Sequence, residues 1–382
     1  MKPLKIGVIG CGRISDIYFQ TLGKFDAVNV VACASLDLAE SQEKAKKYKI
    51  PKACSVEDIL DDPEIDAVLN LTIPAAHAKI SMQALEHGKH VYSEKPFVTD
   101  LTEGSAILEF AQSKGLKVGN APDTFFGGRW QTVRKLIDEG AIGTPTSVFA
   151  YVGTHGTERH NPNPDFYYQK GGGPMLDLGP YYLTALIFFL GPIKRVAGMS
   201  NRGFQKRQIE NGPRNGTWMD VEIDTHVQGM LEFESGVIGT ITMSFDVWDS
   251  ETPRLEIHGT EGSICIPDPD PVHGANIFQG EVWMRTKETS RWTHQPRPQG
   301  RAEWESVPIA HGLNEDSRGI GLVDLAYAII EKRPPRASGE IAHHVLEAML
   351  GILSSQETGN YVTLHSRADR PSLLPEKFPT EA

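Results

Sequence analysis

Residues 4–120 alternate between short apolar runs and amphipathic stretches, and this alternation constrains the fold more than any other feature of the chain. The apolar runs fall at 6–9, 28–34, 67–71, 91–92 and 117–118, with helical patterns between them, for example at 80–87 and 102–114. Strands that alternate with helices form parallel sheets covered by helices on both faces. The pattern predicts an N-terminal α/β domain with a doubly wound, Rossmann-type parallel sheet.

The pattern changes after residue 122, where we predict a second domain. Helical patterns cover 131–139, 175–190, 321–331 and 340–354, and strand–turn–strand patterns cover 226–233, 237–248, 255–258 and 263–266. The strand patterns predict an antiparallel meander. The predicted organisation is a Rossmann domain at 1–122, an α+β domain on a largely antiparallel sheet at 123–370, and a loosely held, Pro-rich tail at 371–382.

Length and charge limit the possible functions. A chain of 382 residues is long enough to bury two cores. Its formal net charge of −11 argues against nucleic acid or an anionic membrane as the main partner. The start runs directly into a strand pattern without a signal peptide, and the four cysteines are scattered without a CxxC pair. These features predict a cytoplasmic protein with reduced thiols, and no metal site is recognisable.

A glycine-rich turn, Gly10 to Ser15, directly follows the first predicted strand and opens a helix. This is the context that a dinucleotide-binding fingerprint requires. Gly10 permits the tight turn, and Gly12 lets the backbone approach a pyrophosphate at the helix N-terminus. Ser15 stands where a third glycine is usual, and a small side chain is tolerable there. The turn predicts a bound NAD or NADP.

The ends of the second and third predicted strands carry further candidate cofactor contacts. An acid is expected about 20 residues after the fingerprint to bind the ribose hydroxyls. Ser35 occupies that position, with Asp37 two residues later and no arginine placed for a 2′-phosphate, which favours NAD over NADP. Asp37 could instead cap the following helix. After the third strand, Pro74 could brace the nicotinamide ring or merely end the strand, and His77 could contact the cofactor or be a polar residue in the first turn of a helix.

The segment Glu94-Lys95-Pro96 follows the fourth apolar run. A residue before proline adopts an extended conformation, which directs Lys95 out of the carboxyl end of a strand, where open α/β sheets bind ligands. A positively charged nicotinamide nearby would lower the pKa of this lysine. Lys95 could then hydrogen-bond a substrate hydroxyl, although a solvated loop lysine is the common alternative.

Three glycines, Gly171 to Gly173, lead into a helix that carries Asp177 and Tyr181. Residues four apart lie on one face of a helix, so this acid and this phenol are placed together. Such a pair suits proton transfer. Alternatively, Tyr181 and Tyr182 pack the helix and Asp177 interacts with the helix dipole.

The glycine turn, Glu94-Lys95-Pro96 and a Gly-Gly-Gly stretch leading to Asp-x-Gly-x-(His or Tyr) occur in this order and spacing. The chain resembles the glucose–fructose oxidoreductase / inositol dehydrogenase (Gfo/Idh/MocA) family over essentially its whole length. The resemblance implies that Lys95 contacts the nicotinamide ribose and the reacting hydroxyl, that Glu94 supports the cofactor, and that Asp177 orients substrate or catalytic groups. The inositol branch has histidine where this chain has Tyr181, so the inositol role does not transfer directly.

The resemblance and the residues together give the candidate site. The predicted catalytic residues are Lys95, Asp177 and Tyr181. The predicted cofactor contacts are Gly10, Gly12, Arg13, Ile14, Ser35, Asp37, Pro74, His77, Glu94, Lys95 and Asn120. The predicted substrate contacts are Lys95, Asp177, Tyr181 and two residues of the loop 151–170, His155 and Arg159, which could also be solvated loop residues. Aromatic residues of 166–168 and Trp130 could supply a surface that stacks on a sugar.

Two activities remain open at this point. The first is an NAD(P)-dependent oxidoreductase that acts on a hydroxyl-bearing carbon of a sugar, sugar derivative or polyol. The second is an NAD-dependent glycoside hydrolase that works by transient C3 oxidation, elimination, water addition and re-reduction. A non-catalytic nucleotide sensor would not need Lys95 and Tyr181. We also predict a homodimer or homotetramer formed through the open sheet face of the second domain.

Overall fold

The computed structural model describes residues 2–267, 277–290, 304–310 and 313–378. These residues form two compact units. The first unit comprises Met1–Gly127, Leu313–Leu346 and Pro371–Ala382, and the second comprises Gly128–Gly312 and Glu347–Arg370. The chain therefore returns to the first unit after residue 312, whereas the sequence pattern suggested a single change of domain near residue 122.

A six-stranded parallel sheet forms the centre of the first unit, in the order β3-β2-β1-β4-β5-β6. Its strands are β1 (Leu4–Ile9), β2 (Val28–Ala34), β3 (Lys52–Ala53), β4 (Ala67–Asn70), β5 (His90–Ser93) and β6 (Val118–Asn120). Its helices are α1 (Ser15–Leu22), α2 (Leu38–Tyr48), α3 (Val56–Asp61), α4 (Pro74–Glu86) and α5 (Leu101–Lys114). This strand order is that of the dinucleotide-binding Rossmann fold, which confirms the predicted fold class.

Local sequence signals explain where several of these helices begin and end. The Asp100 carboxylate accepts hydrogen bonds from the backbone N–H groups of Thr102 and Glu103 at the start of α5. Gly115 ends that helix with a φ of 67°, a conformation that glycine adopts without strain. Ser55 and Asp58 form a reciprocal capping box at the start of α3.

The second unit is built on a nine-stranded mixed sheet in the order β16-β15-β14-β13-β7-β12-β11-β8-β17. A separate two-stranded sheet, β9–β10, occupies the polar stretch after residue 202. The strands are β7 (Pro145–Gly153), β8 (Ile193–Asn201), β9 (Lys206–Gln208), β10 (Trp218–Asp220), β11 (His226–Phe233), β12 (Ile238–Ser244), β13 (Leu255–Gly259), β14 (Gly262–Ile266), β15 (Val282–Thr286), β16 (Glu305–Val307) and β17 (Val362–Thr363). The helices α6 (Gly128–Asp138) and α7 (Pro174–Leu190) belong to this unit, α8 (Ile320–Ile330) belongs to the first, and α9 is Gly339–Thr358.

The predicted meander is only partly correct. β11 pairs with β12 and β13 pairs with β14 in antiparallel fashion, as expected. However, β12 and β13 are not neighbours, because β7 lies between them and runs parallel to β12. A parallel neighbour from 90 residues earlier leaves no local trace in the sequence, whereas hairpins do.

The apolar helix α7 packs against β7, β11 and β12 and covers one face of the large sheet. Side chains alternate along β11, so that Val227 and Leu231 are buried beneath this layer while Met230 points to the other face and is exposed. Within the described part of the tail, 371–378, Phe378 is buried and packs near Phe126, so this part is better held than expected. Within the described ranges, no helix is long and apolar enough to cross a membrane.

Candidate active site

The glycine turn after β1 has the geometry that the sequence predicted. Gly10 has a φ of 106°, and a Cβ atom there would lie 2.5 Å from the carbonyl group of Leu71, so only glycine fits. A Cβ at Gly12 would meet no described atom within 4 Å. The backbone at Gly12 is therefore open to an approaching group, which is what a dinucleotide pyrophosphate requires.

The start of α1 bonds back to the glycine turn, because the N–H groups of Ser15 and Asp16 donate to the carbonyls of Gly12 and Arg13 at 3.0 and 3.4 Å. Ile14 occupies the N-cap position, and no described side chain caps the helix there. Ser15 is buried, and its hydroxyl donates to the Gly12 carbonyl at 2.7 Å, which tightens the turn in place of a third glycine. Arg13 is exposed on the turn. A helix N-terminus without a side-chain cap carries the positive end of the helix dipole, which favours a phosphate group, so these residues fit a dinucleotide.

The end of β2 carries acids rather than bases. Asp37 is the N-cap of α2, and its carboxylate accepts a hydrogen bond from the Ala39 N–H at 2.9 Å. Ser35 is half-buried, and its hydroxyl donates to the Glu40 carboxylate. The capping role considered for Asp37 is therefore present, and two carboxylates, Asp37 and Glu40, stand near the predicted ribose position.

The end of β4 is tied to the segment around Lys95 through His77. Its buried ring has Nδ1 2.6 Å from the Pro96 carbonyl oxygen and Nε2 2.9 Å from the Thr72 carbonyl oxygen. Asn70, also buried, donates to the His77 carbonyl at 3.1 Å. Pro74 is the first residue of α4, a position that proline favours. Both ring nitrogens of His77 thus lie against main-chain oxygens. The His77 ring therefore connects the main chain after β4 to the main chain at Pro96.

Lys95 stands directly after β5, in a main chain that is held on both sides. The Glu94 carboxylate accepts the Lys95 N–H at 2.7 Å and the Tyr18 hydroxyl at 2.9 Å. The Asn120 side-chain amide donates to the carbonyls of Ser93 and Glu94 at 2.9 and 3.1 Å. The Lys95–Pro96 peptide bond is cis. The main chain before Lys95 is therefore held by Asn120 of β6 and by the Glu94 carboxylate, which Tyr18 of α1 fixes in turn.

A buried acid, Asp123, completes this region of the first unit. Its carboxylate accepts the N–H groups of Gly319 and Gly321 at 2.8 and 3.0 Å, at the start of α8. Burial raises the pKa of Asp123 to about 6, against the hydrogen bonds that lower it. Burial beside the Glu94 carboxylate also raises the pKa of Tyr18, which keeps this phenol a hydrogen-bond donor.

Asp177 and Tyr181 lie in the first two turns of α7, both half-buried and on one face of the helix. Gly173, with a φ of 100°, precedes the helix in a conformation suited to glycine. The neighbouring Tyr182 is buried, with its ring edge-on to Trp130 at 6.1 Å. The packing interpretation therefore holds for Tyr182, while Tyr181 stays partly accessible.

The loop between β7 and α7 carries the remaining predicted contacts. His155 is half-exposed and stacks on Trp248, and burial and the Arg207 charge lower its pKa. Arg159 is exposed, 3.3 Å from the Glu210 carboxylate. Trp130 and Tyr168 are buried and cannot stack on a sugar, so that suggestion is wrong for both. Phe166 remains half-exposed.

Sequence reasoning missed several residues of these arrangements. Tyr18 and Asn70 look like ordinary residues of a helix and a strand, because their partners lie far away along the chain. The sequence pattern placed Trp248 at the end of a predicted strand, 237–248, whereas β12 ends at Ser244 and Trp248 lies in the segment that follows. The ion cluster of Glu158, Arg207 and Asp246 was also missed, because Arg207 lies in a polar stretch that has no clear pattern.

Comparison with known proteins agrees with this geometry. Residues 4–121 match the model of the oxidoreductase family with an NAD-binding Rossmann fold, and residues 130–265 match the model of the GFO/IDH/MocA C-terminal domain. The chain belongs to the Gfo/Idh/MocA oxidoreductase family. Its N-terminal domain is an NAD-binding Rossmann domain, as the glycine turn predicted, and the family identification made from the motifs is confirmed.

Several relatives carry names that give a sugar, a sugar derivative or a diol as the substrate. The chain is 31% identical over 303 residues to dTDP-3,4-didehydro-2,6-dideoxy-alpha-D-glucose 3-reductase of Saccharopolyspora spinosa, covering 72% of this chain and 86% of the relative. It is 28% identical to trans-1,2-dihydrobenzene-1,2-diol dehydrogenase of Bos taurus, covering 93% and 99%. The solved structure of levoglucosan dehydrogenase in complex with NADH and L-sorbose shares the fold, with a TM-score of 0.77, 21% identity and coverage of 96% and 100%. The family thus includes sugar-acting reductases and dehydrogenases.

Proposed function

We propose that this protein transfers a hydride between NAD and a hydroxyl-bearing carbon of a sugar, sugar derivative or polyol. The observation that carries the proposal is the anchored Lys95, which follows β5 of an NAD-binding domain with its main chain fixed by Glu94 and Asn120. The names of the relatives support the substrate class, since they include a dTDP-sugar reductase and a levoglucosan dehydrogenase.

The proposed roles follow from the chemistry of each side chain. When bound, the nicotinamide supplies the hydride acceptor or donor. Lys95 hydrogen-bonds the substrate hydroxyl, and Tyr181 is the second candidate for the group that exchanges the hydroxyl proton. Asp177, one helical turn before Tyr181, orients the substrate or the phenol. His155 and Arg159 contribute to substrate binding from the loop after β7.

The surroundings of the ribose support NAD over NADP. Asp37 and Glu40 place two carboxylates at the end of β2, where a 2′-phosphate would meet like charge. We expect kcat/KM to be higher with NAD than with NADP. Steady-state kinetics with both cofactors on one sugar substrate checks this, and a preference for NADP would contradict it.

The decisive experiment follows the absorbance of reduced nicotinamide during incubation of the protein with NAD. The panel contains levoglucosan, L-sorbose, myo-inositol and aryl glycosides, and released aglycone is measured in parallel. Accumulation of reduced cofactor with a sugar or polyol is the expected result. Release of aglycone without net reduction of NAD would instead favour the glycosidase alternative. The absence of both signals would overturn both proposed activities.

Variants assign the proton-transfer groups. We expect Lys95→Met and Tyr181→Phe to lower kcat by about 10²–10⁴-fold, the usual contribution of a positioned acid or base. Tyr182→Phe is the matched control, because it removes the same hydroxyl from a packing residue of the same helix and should leave kcat nearly unchanged. Full turnover by either test variant would remove that residue from the catalytic assignment.

A further inference from the structure

Four side chains of the second unit form an aromatic cluster, here called the Trp248 platform: Trp248, His155, Phe204 and Arg159. The rings of Trp248 and His155 are stacked, with centroids 3.3 Å apart and an interplanar angle of 16°. Phe204 meets the His155 ring edge-on at 5.7 Å, and the Arg159 guanidinium carbon lies 5.1 Å from the Trp248 ring centroid. Trp248 nevertheless remains 68% exposed.

Buried charges hold this platform in place. The Arg207 guanidinium bridges the carboxylates of Glu158 and Asp246, at 2.6 Å each. The same guanidinium donates to the main-chain carbonyls of His155 at 3.2 Å and Phe245 at 2.6 Å. One buried group thus fixes the loop that carries His155 and the segment that leads to Trp248. A rigid aromatic surface binds a ligand without a further cost in conformational entropy.

The platform lies at the end of the sheet where β7 and β12 terminate, which is also where α7 begins. β7 and β12 run parallel and end together, with Gly153 opposite Ser244, and the Val247 N–H donates to the Thr154 carbonyl at 3.0 Å. The loop from His155 continues to Tyr168, whose carbonyl accepts the Glu222 N–H just before β11. β11 begins at this same end of the sheet, since its first residue, His226, pairs with Ser244, the last residue of β12. The platform and the start of α7, the helix that carries Asp177, therefore lie at the same end of the nine-stranded sheet.

We propose that Trp248 stacks against the C–H face of a sugar ring of the substrate and sets its affinity. The proposal rests on the proposed function and adds the group that recognises the ring. The indole supplies a wide apolar face at little entropic cost, and His155 backs it from one side. The adjacent Arg159–Glu210 pair, 3.3 Å apart, offers donors and acceptors to ring hydroxyls.

The test uses full-length Trp248→Ala and Trp248→Phe proteins, with Trp218→Ala as the matched control. Trp218 is a 63% exposed tryptophan of β10 in the same unit, and it takes no part in the platform. With the best substrate of the panel, we expect Trp248→Ala to raise KM about three- to tenfold with kcat nearly unchanged. Trp248→Phe, which keeps an aromatic ring, should retain most of the affinity, and Trp218→Ala should behave as wild type. Equal KM values for Trp248→Ala and wild type would overturn the proposal.

A second measurement separates this proposal from the proposed function. Saturation-transfer NMR on the NAD-loaded protein detects sugar C–H protons that contact the protein. This measurement reports binding and does not require the sugar to be oxidised. A signal with levoglucosan, L-sorbose or myo-inositol that is lost in Trp248→Ala supports the platform even if no sugar is oxidised. Turnover with an unchanged signal in Trp248→Ala would leave the proposed function standing and reject the platform. No binding of any sugar would reject the platform.

Discussion

Glu94 is the single residue that joins most parts of the first unit's site. One carboxylate oxygen accepts the Lys95 N–H and the other accepts the Tyr18 hydroxyl from α1, the helix that follows the glycine turn. The residue is buried, so its oxygens depend on these donors. Through Glu94, the helix that begins at the dinucleotide turn is mechanically linked to the main chain of Lys95.

Tyr18→Phe tests this link. We expect the free energy of unfolding to fall by about 1–3 kcal/mol, because one oxygen of a buried carboxylate loses its donor. We also expect kcat to fall several-fold, since Lys95 loses part of its support. Tyr48→Phe is the control, because its phenol donates to Asp16, which keeps Lys44 and Lys47 as partners. Equal effects of the two variants in thermal melts and in kinetics would speak against the link.

Asp123 gives the first unit a predictable pH dependence. Its pKa is about 6 in the folded protein, above the ordinary value of 3.8, so the folded state binds a proton more tightly than the unfolded state. Its contribution to stability is therefore greatest at acidic pH and is lost as the pH rises to about 6. Asp123→Asn cannot ionise, so its stability relative to wild type should rise by about 2–3 kcal/mol between pH 4 and 7. Melting temperatures of both proteins across this range check the sign, and a constant difference would contradict it.

At the scale of secondary-structure elements, Arg207 holds the conformation of the loop that follows β7. We expect Arg207→Met to lower the free energy of unfolding by about 3–5 kcal/mol, because Glu158 and Asp246 would be left as buried, unpaired charges. Arg214→Met is the control, since its pair with Asp165 is partly exposed to solvent, and exposed ion pairs contribute little to stability. Denaturant unfolding of both variants measures the difference. Similar losses would mean that the buried network does not hold the loop.

The sequence predicted those elements whose signals are local. The strand alternation, the glycine turn and the helix at 175–190 were visible because periodicity, turn residues and helix ends act over a few residues. The position of β7 between β12 and β13 was not, because its partners are distant in sequence. In the candidate site, Lys95 was predicted through its motif, and its catalytic role stays a prediction. Tyr18 was not, because its partner Glu94 lies 76 positions away. Whether a tryptophan such as Trp248 is exposed is likewise decided by the tertiary structure.

At the scale of the whole molecule, apolar side chains that are exposed on one face of the nine-stranded sheet, among the residues that the structure describes, predict self-association. Phe149, Met199, Met230 and Ile238 are all exposed on this sheet. An apolar patch of this kind is usually covered by a partner surface, so we expect a homodimer or homotetramer. Light scattering coupled to size-exclusion chromatography should give a mass above one chain, and Met230→Glu should lower it. Trp218→Glu, outside this sheet, is the control, and a monomeric wild type would refute the expectation.

The first unit is assembled from segments that are far apart in the chain. Asp123 and Asn120 find their main-chain partners at Gly319, Gly321 and Ala337, residues that follow the whole nine-stranded sheet except β17. A ribosome must therefore deliver most of the polypeptide before the dinucleotide domain can complete its hydrogen bonds. Until residues 319–337 have been synthesised, β6 and the segment that follows it lack these hydrogen-bond partners. A fragment that ends at residue 127 would keep the glycine turn but would lack the buried residues that pack against this side of the domain.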